Sequence, residues 1–167
     1  MKLSLALKTA LLGTGSLDSV LSGFFIYIFK GPVPATADAV LDTVGTHTQL
    51  AVISLASGGV SGGNELTFGS ATAGAISKGA GTWSGPIDSD GADAATATHT
   101  PTFLRLCNGL TDTGRTLGSG TDLRIQLTCG NTGIYEIYVP DMVDDGAAGN
   151  TQGFSVFDIR IPDTSPS

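Results

Sequence analysis

The sequence predicts an all-β protein, an antiparallel β-sandwich or jelly roll with a short N-terminal helical segment. Several short stretches combine apolar residues with the aromatic and β-branched types that favour strands. Glycine is abundant, with 24 in 167 residues, and many of the glycines fall between these stretches, as expected for turns. The strands do not alternate with long helical patterns, so a parallel α/β sheet is not expected. The length suits one domain with its own core.

The first residues have a helical pattern. Leu3, Leu7 and Leu11 recur at helical spacing, and Gly13 follows where glycine ends many helices. This segment could be a lid on the β core or an arm that reaches a neighbouring subunit. The chain thus divides into three predicted units: an N-terminal helical arm (1–22), a β-sandwich domain (23–162) and a flexible tail (163–167).

The stretch that organises the domain is residues 24–29, where four aromatic residues and two isoleucines follow one another. Gly23 precedes this run, and a Gly-Pro pair at 31–32 closes it soon after, so it is expected to form one short strand. Because both of its faces are apolar, we expect cover on both sides. Residues 49–56 have the same character.

The later predicted strands alternate more regularly between apolar and polar residues. In residues 123–129, Leu123, Ile125, Leu127 and Cys129 share one face, and the other face carries two polar residues and an arginine. We expect the first set to point into the core. The second set, predicted to face out, is Arg124, Gln126 and Thr128. Residues 102–107, 134–139 and 154–161 continue the β pattern.

Charge and hydropathy exclude some classes of function. The chain has 8 basic and 15 acidic residues and no cluster of lysine or arginine, so direct binding to nucleic acid is not expected. Only 14% of residues are charged, which favours contact with other protein. The start superficially resembles a secretory signal, but Lys8 interrupts it, and we expect a retained amphipathic helix. No apolar run is long enough to span a membrane.

The sequence predicts no catalytic residue, cofactor or metal site. His47 and His99 lie in threonine-rich stretches and are expected to be hydrogen-bonding loop residues. The acidic run 88–93 lacks the spacing of an EF-hand calcium loop. Asp144 and Asp145 could serve a glycosidase, but no aromatic sugar platform is near them. Ser84 is not in a nucleophile elbow.

Two cysteines and one tryptophan are interpreted as structural residues. Cys107 and Cys129 each lie in a predicted strand without metal-ligand spacing, so they are expected to be small buried apolar residues. Whether they meet is left open. Trp83 is expected to fill the core or an interface, because a side chain of its size is costly to leave in water.

The order of short motifs resembles a family of small structural proteins of tailed-bacteriophage virions, some of which are head decoration or cement proteins. The motifs cover most of the chain. They are LGTGSL (12–17), IYIFKGPVPATAD (26–38), LTFG (66–69), AISK (75–78), TWSG (82–85), FLRL (103–106) and FDIRIP (157–162). The third quarter departs from the family pattern, with extra acidic residues and the two cysteines.

The resemblance implies a capsid decoration protein that stabilises the phage head by bridging subunits of the major capsid protein. Such a protein would be assembled in the host cytoplasm, would lie on the capsid exterior and would contact copies of itself as a dimer or trimer. The candidate interface residues are Leu3, Leu7, Leu11 and Trp83. Two alternatives remain: a tail or neck adaptor or fibre-associated protein, and a secreted carbohydrate-binding jelly roll or small hydrolase that would use His99 or Asp90.

Overall fold

The computed structural model describes residues 1–13, 17–41, 46–70, 72, 75–87, 97–110, 112–115, 122–131, 136–143 and 151–160. The acidic run 88–93, the Asp144–Asp145 pair and the tail 163–167 lie outside these ranges.

The described chain is mostly β, with a short helical segment near its start. The two helices are α1 (Leu5–Gly13) and α2 (Leu17–Val20). The strands are β1 (Lys2–Leu3), β2 (Phe24–Lys30), β3 (Thr48–Leu55), β4 (Ala75–Ser77), β5 (Trp83–Pro86), β6 (Thr98–His99), β7 (Phe103–Asn108), β8 (Arg124–Gly130), β9 (Ile137–Tyr138), β10 (Met142–Val143), β11 (Thr151–Phe154) and β12 (Asp158–Arg160).

Eight of the strands form one large sheet. Seven run in the order β1-β8-β7-β2-β3-β5-β11, and β9 also pairs with β8. All neighbours are antiparallel except β8 and β9, which are parallel. Two small sheets complete the described structure: β4 pairs with β12, and β6 pairs with β10.

Strand β2 lies at the centre of the large sheet, and both of its faces are covered. Phe24, Ile26 and Ile28 belong to the main core, which also includes Leu7 from α1 and Ile76 from β4. On the other face, a second core contains Phe25, Tyr27, Phe29, Leu41, Phe103 and Cys107. The predicted cover on both sides is confirmed, and this chain itself supplies it.

The turn after β2 depends on glycine. Gly31 has a φ of 119°, and a Cβ atom added there would lie 2.1 Å from the carbonyl oxygen of Thr46. A residue with a side chain would therefore be strained and would collide with the backbone. This turn leads residues 32–41 back over the second face of the sheet.

Two local predictions need correction. Leu3 is not in the helix but in β1, where it is opposite Ile125 of β8. Arg124 and Gln126 lie on the face opposite to Ile125, as the alternation indicated, but that face is not solvent. Both side chains are buried, because residues from distant loops lie over them.

Candidate functional site

The second face of the large sheet carries a row of polar side chains. The strand register places Val52, Tyr27, Arg105, Gln126 and Lys2 side by side across five strands, and all of them except Val52 are polar. Three of the five, Tyr27, Arg105 and Gln126, are buried. A buried charge or amide needs hydrogen-bond partners, so the geometry around this row determines what the face can do.

Arg105 directs its guanidinium toward backbone carbonyls and one amide. Its Nε donates to Gln126 Oε1 at 3.0 Å, and its Nη1 donates to the carbonyls of Ala39, at 2.9 Å, and Gly114. Its Nη2 donates to the Thr36 carbonyl at 3.3 Å. Burial, followed by the charge of a neighbouring arginine, lowers the pKa of Arg105 to about 10, so it remains charged at neutral pH.

Arg124 forms a buried ion pair with Asp112. Its Nε and Nη2 donate to the two carboxylate oxygens at 2.5 and 2.6 Å, the two-point geometry that best suits a guanidinium. Burial opposes the charged form, but the hydrogen bonds and charge of Asp112 hold the pKa of Arg124 above its ordinary value. Asp112 Oδ1 also accepts a hydrogen bond from the Gly114 N–H at 2.7 Å.

These polar groups hold the segment 34–39 against the sheet. The Pro34 carbonyl accepts hydrogen bonds from Gln126 Nε2 at 2.9 Å and from Lys2 Nζ at 2.6 Å. The Ala37 carbonyl accepts a hydrogen bond from Arg124 Nη1 at 3.5 Å. The arginines therefore bind this chain's own backbone and carboxylates, and the chemistry of the network is that of a structural fastening.

The four candidate interface residues all contact the main core of this chain. Leu7 and Trp83 are buried in it, and Leu3 and Leu11 pack against it. Trp83 also packs edge-on against Phe68. Their role in contacts between subunits stays a prediction, since this chain already covers much of their surface. The exposed leucines of the same region are Leu5 and Leu12.

The histidines differ from each other in their surroundings. His47 lies before β3 and contacts the Pro32 carbonyl through Nε2 at 3.1 Å, as expected for a loop residue. His99 was expected in a loop, but it is buried in β6, opposite Met142. Its Nδ1 lies 3.3 Å from Lys30 Nζ. The threonine-rich sequence around His99 concealed this strand because residues 97–101 contain few apolar neighbours.

The two cysteines lie on opposite faces of the sheet. Cys107 belongs to the second core and is opposite Arg124, whereas Cys129 belongs to the main core. Side chains on opposite faces cannot reach each other across a sheet, so the geometry excludes a disulfide between them. Burial raises the pKa of both thiols, that of Cys129 to about 12, as expected for unreactive structural cysteines.

An open groove lies between the two edges of the large sheet. It encloses about 670 Å³, and its walls come from β9 and its neighbours on one side and from β11 and residues 155–159 on the other. The lining includes buried Leu127, Phe157 and Ile159. Tyr138 and Val156, which also line it, are 64% and 73% exposed. We call this space the edge groove; sequence alternation gave no sign of it, because its walls meet only in the fold.

Comparison with known proteins adds no relative: no protein-family model, curated protein or solved structure matches the chain. Within the described ranges, no three His, Cys, Asp or Glu side chains are grouped so that they could hold a metal ion. Neither described helix is long and apolar enough to cross a membrane.

Proposed function

We propose that this chain is a structural protein of a bacteriophage virion, a capsid decoration or cement protein that bridges major capsid protein subunits on the capsid exterior. It acts by binding and not as an enzyme, and its partners are the capsid protein and copies of itself. Direct contact with nucleic acid or a membrane is not part of the role.

The observation that carries the proposal is the distribution of charge and apolar surface. Of the eight basic residues in the chain, three arginines are buried, and two of these fasten the fold. Large apolar side chains are exposed instead. They are Leu5, Leu12, Val33, Val40, Val60, Leu110, Tyr138, Val143 and Val156. A surface of this kind suits lasting contact with protein better than recognition of a charged ligand.

The proposed mechanism is burial of apolar area at joints between capsid subunits. Each 100 Å² of apolar surface removed from water stabilises a contact by about 2.5 kcal/mol before the entropy of association is subtracted. A standard interface uses about 800 Å² of each partner. This chain exposes 8013 Å², so such an interface occupies about a tenth of it, and several can be made at once. Bridging requires at least two.

The two small sheets support a two-layered architecture of the sandwich type. Ile76 of β4, Ile159 of β12 and Met142 of β10 belong to the same core as the large sheet. We therefore propose that the small sheets act as a partial second layer over that face. A rigid layered core suits a protein that must transmit load between neighbours.

The test compares virions with and without this chain. Particles that lack it should lose DNA at a lower temperature than complete particles, and added purified chain should restore the original temperature. Unchanged stability after complete removal would contradict a cement role. Copy number distinguishes the head from the tail or neck: a shell protein is present in hundreds of copies and a tail or neck protein in about a dozen. Binding to glycans instead of particles would support the carbohydrate-binding alternative.

A further inference from the structure

The edges of the large sheet are protected unequally. Along β11, Thr151–Phe154 forms an edge of four residues without lysine, proline or any charge, and within the described ranges its backbone pairs only with β5. At the other edge, β1 and β9 have two residues each, and β1 carries Lys2. Short strands and lysines are the usual ways in which proteins prevent unwanted strand pairing. Only the β11 edge is longer than two residues and carries no lysine.

We propose that β11 is the site at which two copies of this chain join, by antiparallel pairing of β11 with β11 of the second copy. The partner's strand would lie along the edge groove, where its side chains would cover Val156 and Tyr138. Pairing of a strand with its own copy is closed by a two-fold axis, so each contact is made twice and neither β11 edge remains unpaired.

Charge favours a second copy as the occupant. The whole chain carries −7, so most approaches of two copies bring like charges together. Residues 151–157 have no charged side chain, and they form the longest such stretch in the wall of the groove. Glu136 at the opposite wall is already paired with the α-amino group of Met1. The other acidic residue in the lining, Asp158, lies in β12, outside this stretch. Two copies that pair along β11 therefore meet at an edge without charged side chains.

The β11 pairing names one partner surface for the proposed structural role, and it rests on that role only because the role expects contact between copies of the chain. The pairing and the structural role can fail separately. A chain that stays monomeric would overturn the pairing, while its binding to particles and its effect on their stability are measured independently.

The experiment measures the mass of the purified full chain by sedimentation over a range of concentrations. We expect a monomer–dimer equilibrium. Val156→Lys should weaken the dimer at least about tenfold, because it places two lysines beside the paired edges. The matched control is Leu12→Lys, the same kind of change at a side chain that is 90% exposed and outside the groove; it should leave the dimer unchanged. Thr151→Lys is a second variant, also at an exposed site.

Amide hydrogen exchange locates the contact. Exchange of the amides in residues 151–154 should slow as the fraction of dimer rises, while exchange along α1 should not change. Three outcomes would overturn the inference: a monomer at every concentration, a dimer or trimer that both lysine variants leave intact, or protection that appears on α1 and not on β11.

Discussion

Neighbouring residues of β8 point into two different environments. On one face, the register aligns Ile53, Ile26, Leu106, Ile125 and Leu3 in an unbroken aliphatic row. The next row, on the other face, contains a tyrosine, an arginine, a glutamine and a lysine. Both faces are covered, but only the first has an entirely apolar row, and we call it the dry face.

This difference shows that the two faces are stabilised by different kinds of interaction. An aliphatic row is stable against any apolar cover of suitable shape. The stability lost on mutation therefore depends on the side-chain volume that is removed. The polar row is stable only while each charge keeps its partner, and several partners come from residues 34–39 and 112–114. The polar face should therefore show strong coupling between distant residues, whereas the aliphatic face should not.

The largest expected effect is at Arg124. Arg124→Met should lower the free energy of unfolding by about 4 kcal/mol, because it leaves the Asp112 carboxylate buried without its main partner. Urea unfolding followed by circular dichroism measures the loss. A loss below about 1 kcal/mol would mean that the pair does not hold the second face together.

A double mutant cycle measures how much of that loss comes from the interaction between Arg124 and Asp112. Asp112→Asn retains an oxygen that can accept from the Gly114 N–H but removes the charge. Combined with Arg124→Met, it should cost at least about 1.5 kcal/mol less than the sum of the two single changes. Additive losses would contradict a coupled polar face.

The matching change on the dry face is Ile125→Ala. It should cost about 3 kcal/mol through lost burial and the cavity that remains, since Ile125 is fully buried in the main core. Urea unfolding measures it in the same way. Because the neighbours of Ile125 need no specific partner, its loss should add to that of Asp112→Asn within about 0.5 kcal/mol. Strong coupling between these two sites would erase the distinction between the faces.

The sequence was informative where burial depends on local pattern. The aromatic run in β2 predicted a short strand with two covered faces, and alternation in β8 separated Ile125 from Arg124 correctly. It could not show that Arg124 is buried, because a charged residue on an alternating strand usually faces water. The partner that permits burial, Asp112, lies in a glycine- and threonine-rich turn without any pattern of its own.

The candidate surface was predicted less well for a related reason. Helical spacing selected Leu7 and Leu11, and spacing of that kind identifies the side chains that pack inward. The exposed positions Leu5 and Leu12 lie on other parts of the same helix and give no periodic signal. The edge groove depends on the order of strands in the sheet, which joins residues 137–138 to residues 152–159 only after folding.

The smallest expected effect is the loss of stability at alkaline pH that arises from the buried thiol of Cys129. Burial raises the pKa of Cys129 on the dry face to about 12, so the folded state keeps a proton that the unfolded chain loses above about pH 9. Its stabilising effect is complete below that pH and is lost as pH rises toward 12. Near pH 10 the loss should be about 1.4 kcal/mol. Urea unfolding at a series of alkaline pH values measures it.

Cys129→Ala should flatten this alkaline decline without abolishing it, because burial also raises the pKa of Cys107 and of the Tyr27 phenol on the polar face. Ile125→Ala, on the same strand and the same face, is the control: it should lower stability equally at every pH, since it removes volume and no proton. A decline as steep in Cys129→Ala as in the unmodified chain would place the alkaline sensitivity wholly on the polar face. The thiol of the dry face would then contribute nothing to it.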